Sequence, residues 1–284
     1  MRQGGWAAIV LFLAGGCQGG GSDAARSDAT RTPAAELAVS DTGAPETEDA
    51  PSEAASQAAV GTGRSVEASN DLYEFAYSYP DAAGALTGLR DMLDARLASE
   101  RTQLASSARD DRKEAKSGGF PYLSHSFSAK WAVVADLPGW LSLSADVYTF
   151  SGGAHGMSNF DSLLWDRRTN TARKPRDLFT SANALRDALQ KPFCDALDKE
   201  RAKRRGEPVQ RDSGQMFTEC IDPLAQTLIL GSANHQTFDR IGILVAPYEA
   251  GPYAEGSYEV TLPVTGKVMA ALRPQYRASF SAGH

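Results

Sequence analysis

The sequence has few of the residues that most often carry catalysis or metal binding. Its 284 residues hold four histidines and three cysteines. The histidines, His125, His155, His235 and His284, lie far apart and share no short ligand spacing, so no local pattern argues for a metal. There is no G-x-S-x-G elbow, no H-E-x-x-H, no phosphate-cradling G-x-x-x-x-G-K and no dinucleotide fingerprint. No residue is assigned a catalytic role on these grounds, and no cofactor is expected. Basic residues are dense only in "DKERAKRRG", Asp198 to Gly206. That run closes a predicted helix, where cations favour the negative end of the dipole, and reads as a solvated helix terminus. With a formal net charge of −6, nothing points to a nucleic-acid partner.

Long apolar runs are missing too, apart from the first residues. In "MRQGGWAAIVLFLAGGC" one charge, Arg2, precedes an apolar core from Trp6 to Ala14 and then small residues before Cys17. This is the form of a secretory signal, too short to span a bilayer as a mature helix. Its "LAGGC" ending resembles a bacterial lipobox, so Cys17 is the expected lipidation site and would tie the chain to a membrane. An ordinary cleaved signal with an incidental cysteine is the alternative. Gln18 stands where inner-membrane retention uses aspartate, which makes the expected location the periplasmic side of a bacterial outer membrane.

From Gln18 to about Gly63 aromatic residues are absent and large aliphatics few, while Ala, Ser, Thr, Gly, Pro, Asp and Glu dominate. Such a stretch cannot bury enough apolar surface to offset its ordering entropy, and reads as a disordered acidic tether, with the linker taken to residue 68. If Cys17 carries lipid, Cys194 and Cys220 remain as an even pair in an oxidising space. A disulfide closing that loop, worth about 3 kcal/mol, is favoured over two buried free thiols.

The remaining chain alternates and repeats in a legible way. "DLYEFAYSYP" sets Tyr73, Phe75, Tyr77 and Tyr79 at strand period, and Pro80–Asp81 stops it. Leu86, Leu89, Leu93, Leu97 and Leu104 form one helical stripe ending at Gly118–Gly119. "YLSHSFSAKWAVVADL" and "WLSLSADVYTF" are two strands joined by a hairpin turn at "DLPGW", which makes His125 a strand residue. A strand and a turn at Thr169–Asn170 follow. Leu185, Leu189, Phe193 and Leu197 then mark a second helix that Pro192 should kink or restart. Two strands flank the turn "APYEAGPYAEGSY", and "TGKVMAALRP" is a short last helix. Strands joined by short turns imply antiparallel pairing, so the predicted class is α+β: an antiparallel sheet with packed helices.

Two loops stand out. In "YTFSGGAHGMSNF" Gly152, Gly153 and Gly156 permit positive φ and close backbone approach beside His155. A tight turn with His155 at its tip, and a recognition loop presenting amides and an imidazole, both fit this pattern. Pairing Ser151 with His155 as nucleophile and base lacks an orienting carboxylate. In the second loop Pro247–Tyr248 and Pro252–Tyr253 offer stiff, amphipathic contact area, either packed on the sheet or facing a partner.

Taken in order, Gly152 to His155, Asp177 to Phe179 and Pro247 to Gly256 resemble the motifs of the RsiV-like extracytoplasmic domain family. The likeness covers residues 121–284 as the RsiV-like α+β domain, most specifically Pro121 to Leu272, with residues 69–120 resembling the companion domain that precedes it. The resemblance implies a cell-envelope location. It also implies one of two settings: a lysozyme-binding sensor of an anti-sigma factor, or a domain ahead of a peptidoglycan deacetylase. This sequence carries neither a membrane-spanning helix with a cytoplasmic domain nor a following deacetylase module, so binding is what the resemblance transfers. The expected function is a lipid-anchored envelope module recognising a lysozyme-like, peptidoglycan-directed protein or peptidoglycan itself. Its expected contact residues are Gly152, Gly153, His155, Tyr248, Pro252 and Tyr253. A hydrolase of peptidoglycan or esters with His155 as base, and a purely structural envelope lipoprotein, are the alternatives.

Overall fold

The computed structural model describes residues 62–283. The expected signal, the expected lipidation site Cys17 and nearly all of the stretch read as a tether lie outside the described residues. Strands β1 (Arg64–Ser69), β2 (Tyr73–Tyr79), β3 (His125–Leu137), β4 (Trp140–Phe150), β5 (Met157–Asp166) and β6 (Thr171–Arg173) form one sheet in chain order. Strands β7 (Thr227–Gly231), β8 (Arg240–Val245) and β9 (Tyr258–Pro263) form a second. The helices are the single turn α1 (Asp81–Gly84), the long α2 (Thr87–Gly118), α3 (Ala182–Arg205) and the short α4 (Gly266–Ala271). The class is α+β with antiparallel pairing throughout, except that β2 and β3 run parallel. A parallel pair needs a crossover, and α1 with α2 supplies it.

Regular structure is present within the stretch whose composition reads as linker. β1 falls within the stretch read as linker up to residue 68, yet pairs with β2 over its full length, from Arg64 opposite Tyr79 to Ser69 opposite Glu74. Its sequence, RSVEAS, holds a single large apolar side chain, so partner pairing rather than its own hydrophobicity makes it a strand. The boundary placed at residue 120 separates α2 from β3, two parts of one sheet-and-helix layer.

The leucine stripe of α2 buries Leu89, Leu93 and Leu97 against Tyr73, Phe75, Tyr77 and Tyr79 of β2. Each fully buried side chain of this size stabilises the fold by about 2 kcal/mol. Gly119, left-handed at φ 72°, ends the helix and donates its N–H to the Ala115 carbonyl. His125 opens β3 as a buried strand residue, its Nε2 3.1 Å from Asp111 on α2.

A bulge in β3 between Val133 and Ala135 lets one sheet serve two cores. Before it, Ala129 and Trp131 face α2; after it, Ala135 and Leu137 face the opposite cluster. The extra residue reverses which side odd-numbered residues occupy. On β4 and β5 the two faces alternate normally, with Leu141, Leu143, Leu163 and Trp165 on the α2 side and Trp140 and Leu164 on the other.

That other cluster is closed by α3 and the three-stranded sheet. Ser181 caps α3, accepting from Ala184 N at 3.1 Å. Leu185, Leu189, Phe193 and Leu197 are buried along one face. Pro192 lies within the helix and does not start a new segment, because the buried stripe on both sides holds the turns together. Cys194 on α3 is bonded to Cys220, with Cα atoms 5.4 Å apart.

Candidate functional site

The loop between β4 and β5 takes its shape from its glycines. Gly152 and Gly153 have φ of 103° and 91°, a region that side-chain-bearing residues rarely enter. Open space surrounds both, so backbone conformation is what requires glycine there. Gly156 is needed for the opposite reason. It is buried, and a Cβ there would collide with the Tyr148 ring and the Thr149 carbonyl.

The loop between β8 and β9 is built from residues that resist bending elsewhere. Tyr248 is a non-glycine residue at φ 71° and stays 46% exposed. Pro252 leads a short 3-10 turn, Tyr253–Glu255, its carbonyl accepting from Glu255 N at 2.9 Å.

These two loops, distant in sequence, meet. The Tyr253 ring stacks on His155 with centroids 3.9 Å apart and planes 19° from parallel. The Tyr248 ring lies 5.5 Å from Tyr253 and 6.1 Å from His155. His155 Nδ1 is 2.9 Å from the Gly156 carbonyl, which also accepts from the Tyr253 hydroxyl at 3.1 Å. Of the expected contact residues, His155, Tyr248 and Tyr253 are brought into one group. Gly152, Gly153 and Pro252 shape the loops that carry it. Beside the rings the two sheets leave a groove of about 340 Å³, lined by Thr149, Met157, Asn159, Gln226, Pro247 and Glu249.

Beneath the tyrosine turn stands a set of arginines from α3. Arg201 is fully buried and donates to the carbonyls of Ala250 (2.8 Å) and Glu219 (2.9 Å). Arg205 grips Glu255 with a two-pronged contact at 2.9 and 3.0 Å and reaches the Phe217 carbonyl at 3.0 Å. Arg204 donates to the Glu255 carbonyl at 2.5 Å and lies over the Tyr258 ring, 3.8 Å from its centroid. The basic run is therefore a cradle for the second loop, not the solvated helix terminus its composition suggested. Burial works against ionisation of Glu255, but the Arg205 guanidinium and the Tyr258 hydroxyl outweigh it and hold the carboxyl below its usual range. Burial, followed by Glu255, pushes the Tyr258 phenol upward.

The cradle had a signal in the sequence. Arg201 and Arg205 continue the four-residue stripe of Leu185, Leu189, Phe193 and Leu197, and so belong to the buried face. Tyr148 and Gly156 carried no comparable signal, since their contact depends on how the hairpin closes.

Chemically the ring group offers stacking faces, a hydroxyl and an imidazole whose two nitrogens are already engaged by Gly156 and Tyr248. No carboxylate bonds to His155 among the described residues, and no group of three or more His, Cys, Asp or Glu there could hold a metal ion. No helix among those residues is long and apolar enough to cross a membrane.

Residues 66–158 match the family model described as Deacetylase PdaC, a span from β1 through the glycine loop that ends before the tyrosine turn. Two solved structures of DUF3298 family proteins are similar in chain path. One, from Bacteroides fragilis, is 16% identical, with 76% of this chain and 96% of that one covered, at a TM-score of 0.49. The other, from Pseudomonas aeruginosa, is 14% identical, with 78% and 97% covered, at a TM-score of 0.48. No curated protein matches the chain.

Proposed function

We propose that this protein is a recognition module of the bacterial cell envelope. Its His155–Tyr248–Tyr253 surface docks a peptidoglycan-directed protein of the lysozyme-like hydrolase kind. The observation that carries the reading is the convergence of two stiff loops, 93 residues apart, on one exposed ring group. Tyrosine rings held in place before contact give large area for little ordering cost, the economy of a preorganised binding surface. The match of residues 66–158 to a model named for a deacetylase supports an envelope setting. In this reading Cys17 carries the lipid that keeps the module at the outer membrane, facing the periplasm. Binding is preferred to hydrolysis with His155 as base because both ring nitrogens already have partners and, among the described residues, no carboxylate orients them.

The test is capture of a lysozyme by the immobilised full chain, alongside Tyr248→Ala, at rising salt. Binding that survives salt and falls about tenfold or more in the variant is expected, because a centrally placed tyrosine commonly contributes that much. Equal binding by both chains, or none by either, removes the reading.

A further inference from the structure

The face of the six-stranded sheet turned away from α2 carries a second feature, which adjoins the ring surface only where Tyr148 lies against Gly156. The register aligns Glu67, Ala76, Ser128 and Tyr148 in one cross-strand row, and Ser69, Glu74 and Ser126 in the next. Ala76, Ser126 and Ser128 are too small to fill the space between their neighbours. The result is a groove of about 480 Å³ with a small, hydroxyl-bearing floor, Tyr148 as one wall, and Glu67 and Glu74 as the other. Tyr148 is 37% exposed, and both glutamates are exposed.

The charge of this groove is uncompensated. Glu67 and Glu74 lie diagonally across the β1–β2 pair, about 7–8 Å apart by strand geometry. Among the described residues neither carboxylate has an ion-pair or hydrogen-bond partner, and no lysine or arginine lines the groove. Two like charges on one wall repel each other, and a cation between them relieves that cost. A simple cation would need only the carboxylates. The tyrosine face opposite them and the serine hydroxyls between suit a ligand with an apolar ring face, hydroxyls and a positive charge.

We infer that this groove binds an amino-sugar oligomer with free amino groups, a de-N-acetylated glycan. The C–H face of a sugar ring lies on Tyr148, its hydroxyls reach Ser126 and Ser128, and its ammonium group sits between Glu67 and Glu74. The acetylated form supplies no charge and leaves both carboxylates unpaired.

The experiment is calorimetric titration of the full chain at low salt with glucosamine hexamer, N-acetylglucosamine hexamer and hexalysine. The free-amine sugar should bind about tenfold more tightly than the acetylated one, the equivalent of one charge-assisted hydrogen bond. Glu67→Gln with Glu74→Gln should erase that preference while the melting transition stays in place, because both positions are exposed. Tyr148→Leu should weaken both sugars. Tyr248→Ala, in the ring surface, should leave glucosamine binding unchanged, so failure here is distinct from failure of the protein-docking reading. Equal affinity for the two sugars, no binding of either, or indifference to the double substitution overturns the inference. So does hexalysine binding as tightly as glucosamine hexamer, which would make the groove a site for basic peptide.

Discussion

The Tyr248 hydroxyl sits 3.2 Å from His155 Nε2, while the other ring nitrogen, Nδ1, faces the Gly156 carbonyl at 2.9 Å. A carbonyl only accepts, so Nδ1 carries the proton and Nε2 receives the tyrosine O–H. The loop geometry thus selects one neutral tautomer. Nitrogen NMR of the neutral imidazole should find the proton on Nδ1. In Tyr248→Phe that preference should weaken, with a stability change below about 1 kcal/mol for so exposed a bond. A wild-type ring protonated on Nε2 would mean that the two loops do not meet in this way.

Gly156 should tolerate no side chain. In Gly156→Ala the new methyl group meets the Tyr148 ring and the Thr149 carbonyl, and only the ring can move. The expected cost is about 1–3 kcal/mol, typical of overpacking, read as a lowered melting midpoint. Gly153→Ala should also destabilise, through its positive φ rather than through collision. Adding Tyr148→Ala should therefore recover only the ring's share of the loss in the Gly156 variant, leaving the Thr149 collision, and none of it in the Gly153 variant.

The contrast between these glycines shows what the sequence could and could not reveal. The alternating aromatics of β2, the leucine stripe of α2 and the Pro–Gly turn of the β3–β4 hairpin are local patterns, and each formed its element. Asn170 likewise takes the left-handed turn position, at φ 53°. β1 was hidden because a strand paired on one side and mostly polar has no hydrophobic period of its own. The bulge in β3 was hidden because it changes phase without changing composition. The two loops could be picked out singly from their Gly, Pro and Tyr content. Their meeting depends on the docking of two sheets, which no local pattern encodes. The arginine cradle lies between these cases: its spacing was readable, but its charge argued for solvent.

The Arg205–Glu255 contact makes the second loop sensitive to acid. Glu255 titrates below its usual range in the fold, so the unfolded chain binds its proton first as pH falls. A depressed carboxyl stabilises the fold above its unfolded pKa, near 4.5, and that contribution disappears as pH drops through the lower folded value. Glu255→Gln should cost about 2 kcal/mol at neutral pH, the scale of a hydrogen bond to a charged group. Its stability should then fall less steeply than wild type below the carboxylate range. Parallel acid-unfolding curves for the two proteins would show that Glu255 is not the linked group.

The Cys194–Cys220 bond ties the same cradle from behind. It holds the segment that precedes β7 against α3, and two carbonyls of that segment, Phe217 and Glu219, accept from Arg205 and Arg201. Both arginines also hold the tyrosine turn through the Ala250 carbonyl. Losing the bond releases a constraint over a sequence separation of 26, worth about 3.5 kcal/mol in the chain-entropy treatment. In Cys194→Ala with Cys220→Ala, amide exchange should quicken first across residues 211–221. A smaller increase should follow at residues 248–255, because buried Arg201 keeps its turn-side partner while its Glu219 partner loosens. Faster exchange confined to the first segment would show that the arginines hold the turn without help from the disulfide, and uniform change across the domain would mean only a global loss of stability.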